Sequence, residues 1–249
     1  KLVGVMLVER TEIEEKMTLV QYDPFDQEKI AVNEQIILEY YRSEGYPGVR
    51  VKSRVEAVES SLESEGKKFR VVFEMEEKPR VYLSDIYISG TKFYSELDIK
   101  RFILSSEIDC VAWANQSGLF REEMINQDLS LITQHYLKNG FIKVFIEKPD
   151  VTLIHNPDYS RVDVRLNITE GDQYYSGKIS VSGDILGEKE KLMEGLLLEE
   201  GEIYNPFLQN RDRSGISEIY HERGYAFVRV VPETKVHKET KTVDVTYRI

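Results

Sequence analysis

The amino-acid sequence predicts an α+β fold written three times along one chain. Three observations carry that prediction. The motif Tyr-x-x-x-Gly-aromatic recurs as Tyr41 to Gly45-Tyr46, Tyr136 to Gly140-Phe141 and Tyr220 to Gly224-Tyr225. A helical apolar stripe runs into each copy, and a strand of strict apolar–polar alternation follows each. An internal repeat of this kind decides the fold, because each copy is one supersecondary unit.

Each copy opens on a strand. Ile86-Tyr-Ile88-Ser-Gly90 and Ile179-Ser-Val181-Ser-Gly183 both end at glycine. In the first copy the corresponding run is read at Val5–Glu9, with Glu9 in the glycine position, so a different turn is expected there. A short helix comes next. Thr11-x-x-Glu14 and Ser95-x-x-Asp98 have the spacing of capping boxes, in which side-chain oxygens accept orphan backbone N–H groups.

The second helix is longer. Ile125, Leu129, Ile132 and Tyr136 fall at i, i+4, i+7 and i+11, one stripe of a helix. Ile30, Ile37 and Tyr41 repeat that stripe, and Ile216 and Tyr220 repeat its end. Asn205-Pro206 opens this helix in the third copy, with proline at the first helical position. The anchor glycine suits the left-handed residue just past a helix, and the aromatic then begins a second strand. Those strands are expected at Val49–Val58, Phe141–Glu147 and Tyr225–Val231, the last ended by Pro232.

The third strands are Phe69/Val71/Phe73/Met75, Val162/Val164/Leu166/Ile168 and Val243/Val245/Tyr247/Ile249. Alternation with period two gives one buried and one wet face. The order β-α-α-β-β lets two helices cover a three-stranded mixed sheet as a two-layer domain. Polar boundaries at Glu76–Arg80 and Thr169–Gln173 then give three small domains, 1–78, 79–171 and 172–249. The second holds an insertion, Ser105–Gly118, with Cys110 and Trp113. Val243–Ile249 stop within a strand, so the chain is read as a piece of something longer.

Composition excludes several classes of function. The 249 residues carry 33 Lys+Arg against 44 Asp+Glu, a net charge of −11. A phosphate-tracking surface needs the opposite balance, and so does adhesion to anionic lipid. No copy has the basic groove and Gly-x-x-Gly loop of a KH domain, so no nucleic-acid partner is expected. One cysteine cannot form an intrachain disulfide. No apolar run approaches the ~18–20 residues of a membrane span. His135, His155, His221 and His237 lack metal-ligand spacing. Glu199-Glu200-Gly201-Glu202 reads as a solvated turn rather than an acid–base or Ca²⁺ site. Gly183-x-x-x-Gly187 lacks the Gly-Lys-Ser/Thr of a P-loop. Neither a catalytic constellation, a metal nor a cofactor is expected.

Three tandem β-α-α-β-β repeats with Gly-aromatic after the second helix resemble POTRA domains. Asn167-Ile-Thr-Glu-Gly-Asp-Gln-Tyr174, Tyr136–Phe141, Gly183–Gly187, Gly201–Asn205 and the Val-x-Trp of the insertion are similar to stretches of the BamA family of outer-membrane protein assembly factors. That resemblance implies the second to fourth of five POTRA domains, with the fifth and a C-terminal β-barrel outside this chain. It implies a periplasmic arm of an integral outer-membrane protein. The implied partners are unfolded outer-membrane β-barrel proteins and accessory lipoproteins of β-propeller type. The POTRA arm of a translocation-and-assembly module or a two-partner secretion transporter is the alternative.

If the second strand lies at the sheet edge, as the resemblance implies, its unpaired main-chain groups can accept an extended chain as a further strand. Phe141, Ile142, Lys143, Val144, Phe145 and Ile146 are the candidate edge, although Phe141, Val144 and Ile146 also suit a core role beneath the helices. Glu147, Val151 and Leu153 match the positions that dock the lipoprotein in that family, with Pro149 and Pro157 departing from its pattern. Lys78, Pro79 and Arg80 are read as a hinge. The second junction is read as more fixed, through Tyr174 and Tyr175.

Overall fold

The computed structural model describes residues 1–58, 68–108, 118–156, 159–183, 185 and 189–249, with His155, Asn156 and Tyr159 by backbone alone. Cys110, Trp113, Pro157 and Gly187 lie outside the described residues. The first repeat contains β1 (Leu2–Val3), α1 (Arg10–Lys16), α2 (Gln27–Ser43), β2 (Arg50–Val58) and β3 (Lys68–Glu76). The second contains β4 (Val81–Ser89), α3 (Glu96–Phe102), α4 (Glu122–Lys138), β5 (Phe145–Ile146), β6 (Asp150–Asn156) and β7 (Tyr159–Thr169). The third contains β8 (Tyr175–Ser182), α5 (Lys189–Glu194), α6 (Pro206–Glu222), β9 (Val231–His237) and β10 (Thr242–Arg248).

Each repeat has its own sheet. The orders are β1-β3-β2 and β8-β10-β9 in the outer repeats, and β4-β7-β5 with β6 also on β7 in the middle one. β3 runs parallel to β1 and antiparallel to β2, from Arg50↔Glu76 to Val58↔Lys68. β10 stands in the same way between β8 and β9. Both outer sheets are therefore mixed, with the second strand at an edge.

Contacts gather the described chain into two compact units, residues 1–87, 104–128 and 150–165 in one and residues 88–103, 129–149 and 166–249 in the other. In the first, Ile13, Ile30, Ile37 and Tyr41 from the helices close over Leu2, Phe73 and Met75. In the second, Leu192, Ile216 and Tyr220 close over Ile179, Val181, Val243, Val245 and Tyr247. Burying each such side chain contributes about 1.5–3 kcal/mol.

Four expectations are corrected. The glycine that ends the first strand of the first repeat is Gly4, five positions before Glu9. Gly4, Gly90 and Gly183 all have φ between 81° and 99°. At each, an added Cβ would lie 2.2–2.3 Å from a carbonyl oxygen in or just past the third strand, of Met75, Ile168 or Ile249. Val5–Glu9 is thus the turn rather than the strand. Thr11 caps nothing, since α1 starts after Glu9 with no side-chain cap. Ser95 and Asp98 do form a reciprocal capping box, and Asn205 Oδ1 accepts the Phe207 N–H ahead of α6.

The last two corrections concern second strands. The third-repeat strand begins at Val231 instead of ending there, and Pro232 lies inside it opposite Tyr247. Proline is tolerated because an edge strand need not donate on its outer side. In the middle repeat only Phe145 and Ile146 of the expected Phe141–Glu147 run are strand. Phe141–Val144 form a turn in which the Val144 N–H reaches the Phe141 carbonyl at 3.2 Å. Pairing with β7 resumes at Asp150, just beyond Pro149.

Candidate functional site

The three anchors are the same helix ending. Tyr46, Phe141 and Tyr225 each donate their N–H to the carbonyl of the anchor tyrosine five residues back, at 2.9–3.1 Å, and each anchor glycine donates to the carbonyl three back. That is a Schellman motif, which needs a left-handed residue at the glycine. Gly45, Gly140 and Gly224 have φ of 84°, 79° and 90°. In each anchor the tyrosine meets the following aromatic edge-on, with centroids 5.5–6.2 Å apart.

Below the anchors lies a clamp that sequence reasoning missed. The Tyr41 hydroxyl donates to Glu77 at 2.6 Å and the Tyr136 hydroxyl to Glu170 at 2.8 Å. Glu77 also accepts the N–H groups of Met6 and Leu7, and Glu170 those of Lys92 and Phe93. One carboxylate thereby ties the end of the third strand to the second helix and to the turn after the first strand. Burial pushes the Glu170 carboxyl up, but the Lys92 and Phe93 N–H groups and the Tyr136 hydroxyl outweigh it and hold its pKa below the ordinary value. Burial and the facing carboxylate drive the Tyr41 and Tyr136 hydroxyls far up.

A second missed feature is a buried acceptor on each second helix. Asn33 Oδ1 accepts the Thr18 and Leu19 N–H groups. Asp128 accepts those of Leu104 and Ser105, and Asp212 those of Leu197 and Leu198. Each stands twelve positions before its anchor glycine, a spacing that was legible in the sequence.

The candidate edge residues divide into two groups. Phe141 is buried against Tyr136 and Phe93. Ile142 packs on the third-repeat core, and Lys143 Nζ donates to the Tyr174 hydroxyl at 2.9 Å. Val144 is half-buried. Phe145 and Ile146 pair with Thr169 and Ile168, Phe145 being exposed. Glu147 is exposed, and its N–H donates to the Asn167 carbonyl at 3.0 Å.

Val151 and Leu153 lie on β6, opposite the buried Val164 and Val162. Residues paired directly across a ladder share a face. The two side chains nonetheless remain 42% and 55% exposed. They extend the core-facing surface of β7 past the part that is covered.

At the expected hinge, the Arg80 guanidinium lies 5.0 Å from the Tyr46 ring centroid and Lys78 Nζ pairs with Glu76 at 2.7 Å. The Val81 N–H donates to the Gly45 carbonyl at 3.0 Å. The Tyr174 N–H meets the Gly140 carbonyl in the same way at 2.9 Å. The second junction adds Gln173 Nε2 on the Asn139 carbonyl and a buried Tyr174; Tyr175 is exposed. Among the described residues no group of three or more His, Cys, Asp or Glu could hold a metal, and no helix is long and apolar enough to cross a membrane.

Comparison with known proteins agrees with this geometry. The POTRA family, described as a surface antigen variable number repeat, matches residues 1–78, 81–171 and 174–249. The outer membrane protein assembly factor BamA of Nitratidesulfovibrio vulgaris is 27% identical over 226 residues, 88% of this chain and 27% of its own. BamA of Neisseria meningitidis serogroup B is 26% identical over 163 residues, 65% of this chain and 20% of its own. The chain thus spans about a quarter of the length of the curated relatives it matches. The crystal structure of Haemophilus influenzae BamA POTRA3-5 superposes with a TM-score of 0.54 at 17% identity, covering 100% of this chain and 94% of that one. Three copies of one β-α-α-β-β repeat, built on one anchor and matched end to end, make this chain a member of the POTRA family.

Proposed function

We propose that the chain is a polypeptide-binding scaffold, part of the periplasmic arm of an outer-membrane β-barrel assembly factor, and that it receives unfolded outer-membrane proteins by strand addition. The observation that carries this reading is the margin of the middle sheet. β6 exposes Val151, Leu153 and Ile154, and apart from Asp150 and His155 it has no titratable side chain. β2 carries Arg50, Lys52, Arg54 and Glu56, while β9 carries Pro232, Glu233, Lys235 and His237. Charge and proline on an edge strand blunt pairing with another chain. β6 carries fewer such guards than β2 or β9, with Pro149 just ahead of it.

An extended segment added along Phe145–Ile146 and Asp150–Ile154 gains main-chain hydrogen bonds that make little demand on its sequence. Phe141–Val144 support that edge from below. Glu147, Val151 and Leu153 are the surface for an accessory lipoprotein of β-propeller type, whose apolar contact would cover the two aliphatic side chains. Residues 1–78, 79–171 and 172–249 are the three folding units, with Lys78, Pro79 and Arg80 as the looser link. The role needs neither catalysis nor a cofactor. The names of the assembly-factor relatives support the membrane and partner assignments.

Fluorescence anisotropy with a labelled peptide from a β-barrel strand tests the proposal. A scrambled peptide that keeps the alternation should bind comparably, and one interrupted by proline should not. Affinity that follows sequence instead of strand capacity, or no binding at millimolar peptide, would remove strand addition from the account.

A further inference from the structure

Arg80 and Arg121 stand side by side without a counter-ion among the described residues. An antiparallel bridge joins Tyr82 to Leu119, and the Phe120 N–H donates to the Val81 carbonyl at 2.9 Å. Arg80 and Arg121 are the next residues out along the two segments, so the register brings them together. Both are half-buried, and the Nε of each is shut off from solvent with no hydrogen-bond acceptor. Arg80 lies over the Tyr46 ring, 5.0 Å from its centroid, which stabilises the cation without neutralising it. Arg121 Nη1 meets the Met124 sulfur at 3.9 Å, a weak acceptor. The neighbouring carboxylates are committed elsewhere or left in solvent. Glu76 pairs with Lys78 at 2.7 Å and with Arg50 at 3.9 Å, and Glu77 accepts the Tyr41 hydroxyl and two backbone N–H groups. Glu122 and Glu123 are exposed, and among the described residues no ion pair reaches either guanidinium. Arg121 also stands at the head of α4, where the positive end of a helix disfavours a cation and favours an anion.

From this pairing we infer that Arg80 and Arg121 form a seat for a single carboxylate, carried by an Asp or Glu side chain of a polypeptide partner. An arginine offers its Nε–H and one Nη–H as a planar fork that a carboxylate takes side-on. Nε is the atom left without an acceptor in both residues. A buried charged donor with no acceptor is destabilising, and two adjacent cations add repulsion. A carboxylate held between the forks removes both costs and lies at the favoured end of α4. Both side chains are part-exposed, so the forks reach it by turning outward. The chain's net charge of −11 opposes a polyanion such as nucleic acid or an anionic membrane, and a lone carboxylate meets far less of that field. The seat makes no use of β6, so it stands or falls apart from strand addition.

Nitrogen-15 spectra of the arginine Nε–H groups test the seat directly, with residues 1–249 titrated by a blocked Gly-Glu-Gly peptide too short to pair as a strand. The Arg80 and Arg121 resonances should shift together and saturate at millimolar peptide. The same peptide with Gln in place of Glu should bind at least about tenfold more weakly, since it lacks the charge. Arg121→Gln should abolish the saturable shift of Arg80, and the wild-type titration stands even where that variant fails to fold. Shifts reproduced by sodium chloride at equal ionic strength would overturn the inference. So would Nε–H groups protected from exchange before any peptide is added, since a carboxylate of this chain would then hold them. Tighter binding of inorganic phosphate than of the Glu peptide would also overturn it, by making the seat a phosphate site.

Discussion

Glu170 shows how one side chain can hold a repeat together. It is buried, receives two backbone N–H groups and one hydroxyl, and joins three elements. Glu170→Ala would leave those donors without a partner, at about 1–3 kcal/mol each when buried. A loss of about 3 kcal/mol or more in urea unfolding is expected, and less for Glu170→Gln. The dependence on pH has a definite sign. The folded pKa is depressed, so the contribution is complete above the ordinary carboxylate pKa and disappears as pH falls through the folded value. The stability gap between wild type and Glu170→Gln should therefore narrow on acidification below about pH 4. Two glycines give a matched contrast. Gly140→Ala places a Cβ 2.4 Å from the Tyr174 carbonyl, whereas Gly224→Ala meets open space and bears only the left-handed penalty, about 1–2 kcal/mol. Denaturation of residues 1–249 should show Gly140→Ala as clearly the more damaging.

At the scale of elements, β6 differs from its counterparts in carrying fewer charged residues than β2 or β9 and, unlike β9, no proline. Leu153→Lys should weaken peptide binding about threefold to tenfold, because a lysine on an edge discourages an added strand. Val55→Lys on the already charged β2 should leave binding unchanged, and anisotropy titrations of both variants would decide. The same elements show what was legible in the sequence. The second helices and the third strands follow from periodicity, since one face of each must be apolar, and two of the caps follow from the spacing of their side-chain acceptors. β5 and β9 were misplaced because propensity does not report where a Schellman turn stops. Phe141, Ile142 and Val144 have strand-forming side chains, yet they serve the turn, its core and the next repeat. Gly4 was missed because β1 is two residues long, too short for any period to register. The clamp depends on pairings such as Tyr136 with Glu170, which no local pattern encodes.

At the scale of the whole molecule, the three repeats share one anchor and the first two share one carboxylate clamp, but their junctions differ. Tyr174 is buried in the third core and is held by Lys143, while the first junction sets Arg80 over the Tyr46 ring and the Val81 N–H on the Gly45 carbonyl. Nitrogen-15 relaxation should therefore report more motion at Lys78–Arg80 than at Gly171–Gln173, and Tyr46→Ala should increase it further. Equal order at both links would contradict that difference. The central claim, that an extended chain adds to the margin of the middle sheet, is tested most directly by backbone amide NMR during titration with a β-barrel strand peptide. Shifts and exchange protection concentrated along Phe145–Ile146 and Asp150–Ile154, with β2 and β9 unmoved, are the expected result. Shifts confined to helix faces or repeat junctions, or none at millimolar peptide, would contradict it.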